Sequence, residues 1–479
     1  MPKLCLTLAE TSPEELARKI HQYAGRVSLI EVRLDYLPQP QWPDLPRDSG
    51  SEFVATYRPK REGGRYQGKE EDRLEALRRA AQSGFDWVDL EHDVSAIPDL
   101  PDSTRLVRSL HRFDGFPRDL EQVYRKLRSA KGEVFKLAVP VGSSHELARL
   151  LTFMEAAQGR RVVLGMGSLG QPSRFLGAFL ENEWTYVAEQ AEEAAAPGQF
   201  ELSQAQGDYR WEHWANPPDL YGVIGNPVAH SLSPGLHNRL FDHYDLPHLY
   251  LPLPLTDLQP WFQYVSQTRL CFRGFSVTAP FKVEAARFAT KCRSAGPAVN
   301  TLVHTPQGWE GLNTDYDGFL NPLLNRKYRL RGKRALVLGN GGVAHTAVAA
   351  LQQQGVKVTV VGRDLQKVLQ LTRVSGCRGA TFADLPLEAD LCINTTPVGQ
   401  HPQTEECLLP EEQVDFDLVY DLIYQPEHTR LLELARSRGT VTISGLEMFA
   451  QQAALQFQAW TGRRADPQLV QIILRDLLR

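Results

Sequence analysis

The chain has 479 residues, 53 basic and 57 acidic side chains, a formal net charge of -4 and 42% hydrophobic residues. It is too long for one ordinary core, so two or three globular domains are expected. The charge balance gives no sign of a nucleic-acid surface, and no apolar run reaches membrane-spanning length.

The first 205 residues alternate short apolar runs with amphipathic segments. Strands are predicted at Lys3–Leu8, Leu29–Asp35, Phe53–Arg58, Trp87–His92, Arg105–His111, Val134–Val139, Arg161–Gly167 and Tyr186–Glu189. Apolar spacing at i, i+3 and i+4 predicts helices over Ser12–Gly25, Glu71–Gly84, Arg118–Lys131, Ser144–Gly159 and Phe175–Glu181. Eight strands in α/β alternation predict a (β/α)8 barrel, with a thin helical coat where the proline-rich connections Tyr36–Glu52 and Asp93–Thr104 fall. A polar linker, 206–218, ends in Asn216-Pro217-Pro218. A second α/β pattern follows, with a substrate lobe expected over 219–325 plus 446–479. A doubly wound cofactor lobe is expected over 326–445, with strands Arg334–Leu338, Lys357–Val361, Leu391–Asn394, Leu418–Asp421 and Thr440–Ser444. The six cysteines are scattered, with no CxxC pair or zinc spacing, so reduced thiols and no metal site are expected. Met1-Pro2-Lys3-Leu4-Cys5 lacks a signal-peptide core, which together with the thiols gives a cytoplasmic expectation.

Lys136 stands in the middle of Val134-Phe135-Lys136-Leu137-Ala138-Val139, on the face shared by Val134 and Ala138. Burial disfavours an ammonium, so a lysine so placed is expected to be a nucleophilic amine able to form a Schiff base; an edge-strand lysine reaching solvent is the alternative. Barrel chemistry gathers at the C-terminal ends of the strands. Glu31 and Arg33 share one face there, Arg58 and His111 close their strands, and Glu62 and Arg174 lie in the following loops. In the second half Gly339-Asn340-Gly341-Gly342-Val343-Ala344 fits G-x-G-x-x-A between a strand and a helix, a cradle for a pyrophosphate. Arg363 and Lys367, after the next strand, favour a 2′-phosphate and hence NADP, while Asp364 pulls toward a free ribose hydroxyl.

Glu31-Val32-Arg33-Leu34-Asp35, Arg58 with Glu62-Gly63-Gly64, Ser109-Leu110-His111, Phe135-Lys136-Leu137-Ala138, Ser173-Arg174 and Ala196-Pro197-Gly198-Gln199 together resemble type I 3-dehydroquinate dehydratase. The resemblance implies that Lys136 forms an imine with the substrate ketone and that His111 is the general base, oriented by Glu62 with Glu31 close by. It further implies that Arg174 clamps the substrate carboxylate, with Arg33 and Arg58 among the binding residues, and that Gln199 sits on a closing loop. Ala195 stands where that family usually has Ser or Thr.

From about Leu220 onward the chain resembles shikimate dehydrogenase. The carriers are Gly225–Pro234, Ser276–Lys282, Ala298–Thr301, Gly311–Asp315, Asn394–Gly399, Tyr420–Tyr424 and Gly445–Ala453. By that resemblance Ser231 and Ser233 bind the substrate carboxylate, Lys282 and Asp315 act on the reacting hydroxyl, and Thr278, Asn300, Tyr424 and Gln452 hold the polyol. Asn394, Thr395, Thr396 and Gly445 join the glycine loop around NADP(H). The expectation is two consecutive reactions on small molecules, 3-dehydroquinate to 3-dehydroshikimate and then to shikimate, with no nucleic-acid or membrane partner. Two alternatives are a metabolite sensor without catalysis and a second half acting on quinate with NAD.

Overall fold

The computed structural model describes residues 3–190, 198–214, 216–293 and 297–478. The chain divides into two compact units, Met1–Phe288 and Ala289–Arg479, a boundary that falls inside the segment expected to form one substrate lobe.

The first unit opens with β1 (Lys3–Leu8), α1 (Pro13–Tyr23), β2 (Leu29–Arg33), β3 (Glu52–Thr56), α2 (Glu70–Gln82), β4 (Trp87–Glu91) and β5 (Arg105–His111). It continues with α3 (Leu120–Arg128), β6 (Val134–Pro140), α4 (Ser144–Ala156), β7 (Arg161–Met166), α5 (Gln171–Leu176) and β8 (Trp184–Ala188). The strands pair in parallel and in chain order, and β8 returns to lie beside β1. Between β7 and β8 the ring is completed largely by one side chain. The Asn182 amide donates to Val163 O at 2.8 Å and accepts from Val163 N at 3.0 Å, and Glu183 N donates to Arg161 O at 2.8 Å. As expected, no α-helix joins β2 to β3 or β4 to β5.

The predicted helix Phe175–Glu181 is corrected. Pro172 in its first turn starts α5 earlier, at Gln171, and beyond Gly177 the chain turns back through Glu181, at φ 66°, to enter β8. Phe179 and Leu180, which suggested helical spacing, are buried in that turn.

Inside the barrel, Cys5, Leu29, Val54, Trp87, Val107, Val134, Val162 and Trp184 pack as an apolar floor. Side chains alternate along a strand, so the same face two residues further on carries Thr7, Glu31, Thr56, Asp89, Ser109, Lys136 and Tyr186. Two further on come Arg33, Arg58, Glu91 and His111. The strands thus lift a ladder of polar groups off an oily base, toward the end where the loops lie.

After β9 (Phe200–Glu201) and α6 (Leu202–Gln206) come β10 (Asp219–Gly225), α7 (Ser233–His243), β11 (His248–Pro254), α8 (Leu258–Val265) and β12 (Phe272–Val277). These strands run parallel in the order β11-β10-β12. Helix α4, which follows the Lys136 strand, is tied to this sheet's connections at both ends. Ser144 Oγ accepts from the amides of Thr256 and Asp257 at 2.8 and 3.1 Å. At the other end Glu155 accepts from Tyr264 Oη at 2.8 Å and from the Thr268 hydroxyl.

The second unit begins with β13 (Lys291–Cys292), β14 (Thr301–Thr305), β15 (Gly308–Leu312) and α9 (Asp315–Asn325). Then come β16 (Arg334–Leu338), α10 (Gly342–Gln353), β17 (Lys357–Gly362), α11 (Leu365–Ser375), β18 (Arg378–Thr381), β19 (Leu391–Asn394) and β20 (Leu418–Asp421). The chain closes with α12 (Arg430–Ser437), β21 (Val441–Ser444), α13 (Gly445–Thr461) and α14 (Pro467–Leu477). Strands β16 to β21 form a parallel sheet in the order β18-β17-β16-β19-β20-β21, with the reversal of strand order at β16 and β19 that defines a doubly wound fold. Strand β18 was not expected, because Arg378-Gly379-Ala380-Thr381 has no apolar run to announce it. All six cysteines are free thiols, and among the described residues no helix is long and apolar enough to cross a membrane.

Replacing Asn182 by Ala leaves both the Val163 amide and its carbonyl without their partner inside the core, a loss of about 2–6 kcal/mol at about 1–3 per buried group. Asn182→Ala should therefore lower the temperature at which dehydratase activity is irreversibly lost; an unchanged inactivation profile would show that the ring closes without it.

Candidate active sites

Lys136 is 5% exposed, and its surroundings correct the sequence expectation of an amine in apolar company. Its Nζ lies 3.2 Å from Asp89 Oδ2 and 3.5 Å from Glu31 Oε1, and 4.1 Å from the centroid of the Tyr186 ring. Each carboxylate is itself fixed. Glu31 accepts from Thr7 Oγ1 at 3.0 Å and from Thr56 Oγ1 at 2.9 Å. Asp89 accepts from Ser109 Oγ at 2.5 Å and pairs with Arg58 Nη2 at 2.7 Å. Burial alone would raise the Asp89 carboxyl, but Arg58 and then Lys136 outweigh it and hold it well below the usual carboxylate range.

Arg58 is spent on this lattice. Its Nη1 bonds Glu91 Oε1 and Ser109 Oγ, both at 2.7 Å, and Glu91 continues to Arg73 at 2.8 Å. Arg33 forms a two-point pair with Asp35 at 2.9 and 2.8 Å, and Asp35 also accepts from Arg65 N at 3.0 Å. That pair pins the turn Lys60–Glu62, which delivers Glu62. Gly64 is required there, since an added Cβ would sit 1.9 Å from Arg58 O.

His111 Nδ1 lies 3.0 Å from Glu62 Oε2, and the same oxygen accepts from His111 N at 3.1 Å. Burial, then the charges of Arg58 and Lys136, push the imidazole well below its ordinary value. Burial pushes the Glu62 carboxyl up to about 7 against the pull of Arg58. His111 is therefore a neutral base at neutral pH, oriented through Nδ1. Arg174, on α5, is 1% exposed, and burial draws its guanidinium down to about 10. Gln199 Nε2 reaches Thr7 Oγ1 at 3.4 Å. Ala195 lies outside the described residues.

Sequence reasoning missed Asp89, Glu91, Thr7, Thr56, Ser109 and Tyr186. The alternation that paired Glu31 with Arg33 also sets Asp89 and Glu91 on one face of Trp87-Val88-Asp89-Leu90-Glu91, so the signal was present in the strand.

The residues assigned to the second reaction fall in both units. In the first, Ser233 opens α7, with its amide 3.3 Å from Ser231 Oγ. Tyr250 Oη donates to Ser276 Oγ at 2.7 Å, one strand end away from Thr278. Gly225 is demanded by that strand end, where an added Cβ would meet Thr278 Cγ2 at 2.3 Å. Lys282 is half-buried in the turn after β12.

In the second unit, Asp315 opens α9 and its Oδ1 accepts from Asn300 Nδ2 at 2.8 Å, while Asn300 Oδ1 accepts from Thr314 N at 2.8 Å. Gln456 Nε2 supports Asn300 from α13 through its carbonyl at 3.2 Å. Gln452 lies on the same helix where it crosses Gly318, whose added Cβ would stand 2.6 Å from the Gln452 Cβ. Tyr424 stacks edge-on against Phe449 at 5.4 Å. Gly445 is required by the approach of Leu422 O, 2.2 Å from an added Cβ.

The glycine loop fits a dinucleotide. Gly339 takes φ 111°, and a Cβ added to it would meet Thr395 Oγ1 at 2.5 Å, whereas Cβ atoms on Gly341 and Gly342 would point into open space. Gly341 is the N-cap of helix α10 and no side chain caps it, so the first-turn N–H groups keep their donors for a ligand; Val343 is exposed and Ala344 anchors the helix in the core. Asn340 lies against Gly362, at the mouth of β17, with its Nδ2 3.4 Å from a Cβ added there. Asn394 Oδ1 accepts from Thr396 N at 3.0 Å and its Nδ2 donates to Asp421 at 3.0 Å, closing the opposite wall. Asp364 caps α11, accepting from the amides of Gln366 and Lys367 at 3.0 and 3.3 Å, while Arg363 and Lys367 are exposed.

Residues 4–215 match the type I 3-dehydroquinase family. Residues 223–302 match the shikimate dehydrogenase substrate binding domain, 323–397 the shikimate / quinate 5-dehydrogenase family and 445–471 the shikimate 5′-dehydrogenase C-terminal domain. A chloroplastic bifunctional 3-dehydroquinate dehydratase/shikimate dehydrogenase of Arabidopsis thaliana is 29% identical over 94% of this chain and 80% of its own length. A shikimate dehydrogenase (NADP(+)) of Microcystis aeruginosa is 37% identical over 51% of this chain and 92% of its own length. The crystal structure of a shikimate dehydrogenase in complex with NADP+ superposes with a TM-score of 0.50 at 27% identity, covering 55% of this chain and 96% of the other. With both matches consecutive on one polypeptide and a relative that spans them, the chain belongs to the bifunctional family in which a type I 3-dehydroquinase precedes a shikimate dehydrogenase.

Proposed function

We propose that the barrel dehydrates 3-dehydroquinate through an imine on Lys136 and that the second half reduces the product, 3-dehydroshikimate, to shikimate with NADPH. The observation that carries the first step is the buried Lys136 flanked by Asp89 and Glu31, with the neutral His111 on the neighbouring strand. Lys136 attacks the ketone and water leaves, giving an iminium whose positive charge sits beside two fixed carboxylates. His111 takes the proton from the adjacent carbon, and the electron pair flows into the iminium. The resulting enamine expels the hydroxyl, to which His111 returns the proton. Glu62 steadies the imidazolium between those two transfers. Arg174 receives the substrate carboxylate, a charge-assisted pairing that burial strengthens. Arg33 and Arg58 hold Glu62 and Asp89 in register, a positioning role.

In the second half, Ser231 and Ser233 would bind the carboxylate of 3-dehydroshikimate, and Thr278, Asn300, Tyr424 and Gln452 its hydroxyls. Lys282 would give a proton to the ketone oxygen, and Asp315, oriented by Asn300, would orient the reacting hydroxyl. NADPH bound at the glycine loop supplies the hydride. Arg363 and Lys367 would meet its 2′-phosphate; Asp364, which caps α11 through Oδ1, has its Oδ2 3.9 Å from Lys367 Nζ. Free cysteines support a reducing compartment, and we place the enzyme in the cytoplasm.

Borohydride added with 3-dehydroquinate should fix a covalent adduct on the Lys136 peptide, and Lys136→Ala should abolish dehydration while sparing shikimate oxidation; an unmodified Lys136 peptide by mass spectrometry sinks the imine. His111→Ala should lower dehydration by about 10²–10⁴-fold. Lys282→Ala should stop reduction and let 3-dehydroshikimate accumulate from 3-dehydroquinate, and quantitative conversion to shikimate would refute its role. Arg363→Ala should cost about 10- to 100-fold in kcat/KM with NADPH, the scale of one or two charge-assisted hydrogen bonds, and leave the NADH value unchanged.

A further inference from the structure

Glu62 stands between two imidazoles. His111 holds Oε2; on the other side His92 Nδ1 lies 3.9 Å from Oε1. That nitrogen is buried and has no hydrogen-bond partner. The backbone that carries it is fixed on both sides: His92 N donates to Ser109 O at 2.8 Å, and the buried Arg108 guanidinium donates to His92 O at 3.0 Å and Val94 O at 2.8 Å. The position of this ring over the carboxylate is therefore built into the β4–β5 connection.

We infer that His92 is a positioning residue for dehydration, set to donate its Nδ1–H to the Glu62 oxygen opposite the one His111 holds. The inference rests on the reading of Glu62 and His111 as the acid–base pair. At 3.9 Å the two atoms stand outside bonding distance. Catalytic hydrogen bonds are often long in an empty site and tighten when substrate fills it, and a small torsion of either side chain closes this one.

The ring is in the right state to donate. Burial, and then the opposing charges of Asp93 and of Lys126, Arg108 and Arg61, leave it with a lowered pKa, so it is neutral and carries one N–H. Asp93 is held by Arg61 at 3.1 Å rather than by the ring. The carboxylate needs a donor. His111 takes Oε2 alone, through its amide and Nδ1, while Glu91 and Asp89 work with burial against the carboxylate's charge and Arg58 works for it. A Glu62 that took up a proton would no longer balance the imidazolium on His111.

The test is the pH profile of kcat for dehydration with the full chain, because kcat reports the substrate complex in which the bond closes. Loss of a donor raises a carboxyl pKa, so in His92→Leu the acid limb of kcat should move to higher pH by about one unit, with about tenfold less kcat below it. His92→Asn places an amide N–H where Nδ1 was and should restore the parent limb. Borohydride adduct formation on Lys136 above the limb confirms that each variant barrel is folded. A His92→Leu limb that superimposes on the parent overturns the inference, as does an Asn variant shifted like Leu. Failure of the underlying assignment would look different: His111→Ala would keep its dehydration rate.

Discussion

The ion lattice under the barrel mouth is the constraint on which the first half depends. Lys136, Arg58 and Arg73 are buried against Asp89, Glu91 and Glu31, and the six charges balance. A buried pair adds little net stability over a hydrophobic one, but removing a single member strands a charge at about 3–5 kcal/mol. The lattice therefore acts less as glue than as a jig. Strand register fixes Asp89 and Ser109 to Arg58, and those fix the space that Lys136 can occupy. A lysine confined in this way has lost its rotamer freedom before substrate arrives, which is what the proposed nucleophile would need from geometry.

The same lattice also bears on the proposed acid–base pair. Arg58 lies close enough to His111 and Glu62 to act on both, lowering the pKa of the imidazole and tempering the rise of the carboxyl. The positive charges that secure Asp89 thus also keep His111 unprotonated. One set of buried cations would serve the proposed nucleophile and base together, coupling the two through Arg58.

Much of this was legible in the sequence because strands have a period of two. Lys136 amid apolar neighbours, and Glu31 with Arg33, announce an interior face carrying charge. What remained hidden was pairing. Asp89 and Glu91 sit in a five-residue strand whose Trp, Val and Leu dominate its appearance, and nothing local says that Arg58, more than thirty residues earlier, is their partner. Lys136 was accordingly read as an amine in apolar company, when the strands supply it with two carboxylates. The helix at Arg174 was displaced for the opposite reason: Phe179 and Leu180 are buried by tertiary contact and mimic helical spacing, while the local signal, Pro172, marked the true start.

Asp364 shows how local structure can reassign a residue that a motif rule would conscript. In sequence it follows β17, where an acid commonly holds a ribose hydroxyl. Its carboxylate, however, accepts two first-turn amides of α11, donors that no helical carbonyl can reach. Both bonds end on Oδ1, so the cap fixes the carboxylate's orientation at a cost of about 0.5–2 kcal/mol for its loss. Its Oδ2 lies 3.9 Å from Lys367 Nζ. The acid is thereby tied to one of the two exposed cations proposed to meet the phosphate, and the contest between them is set by the helix start and not by the motif alone.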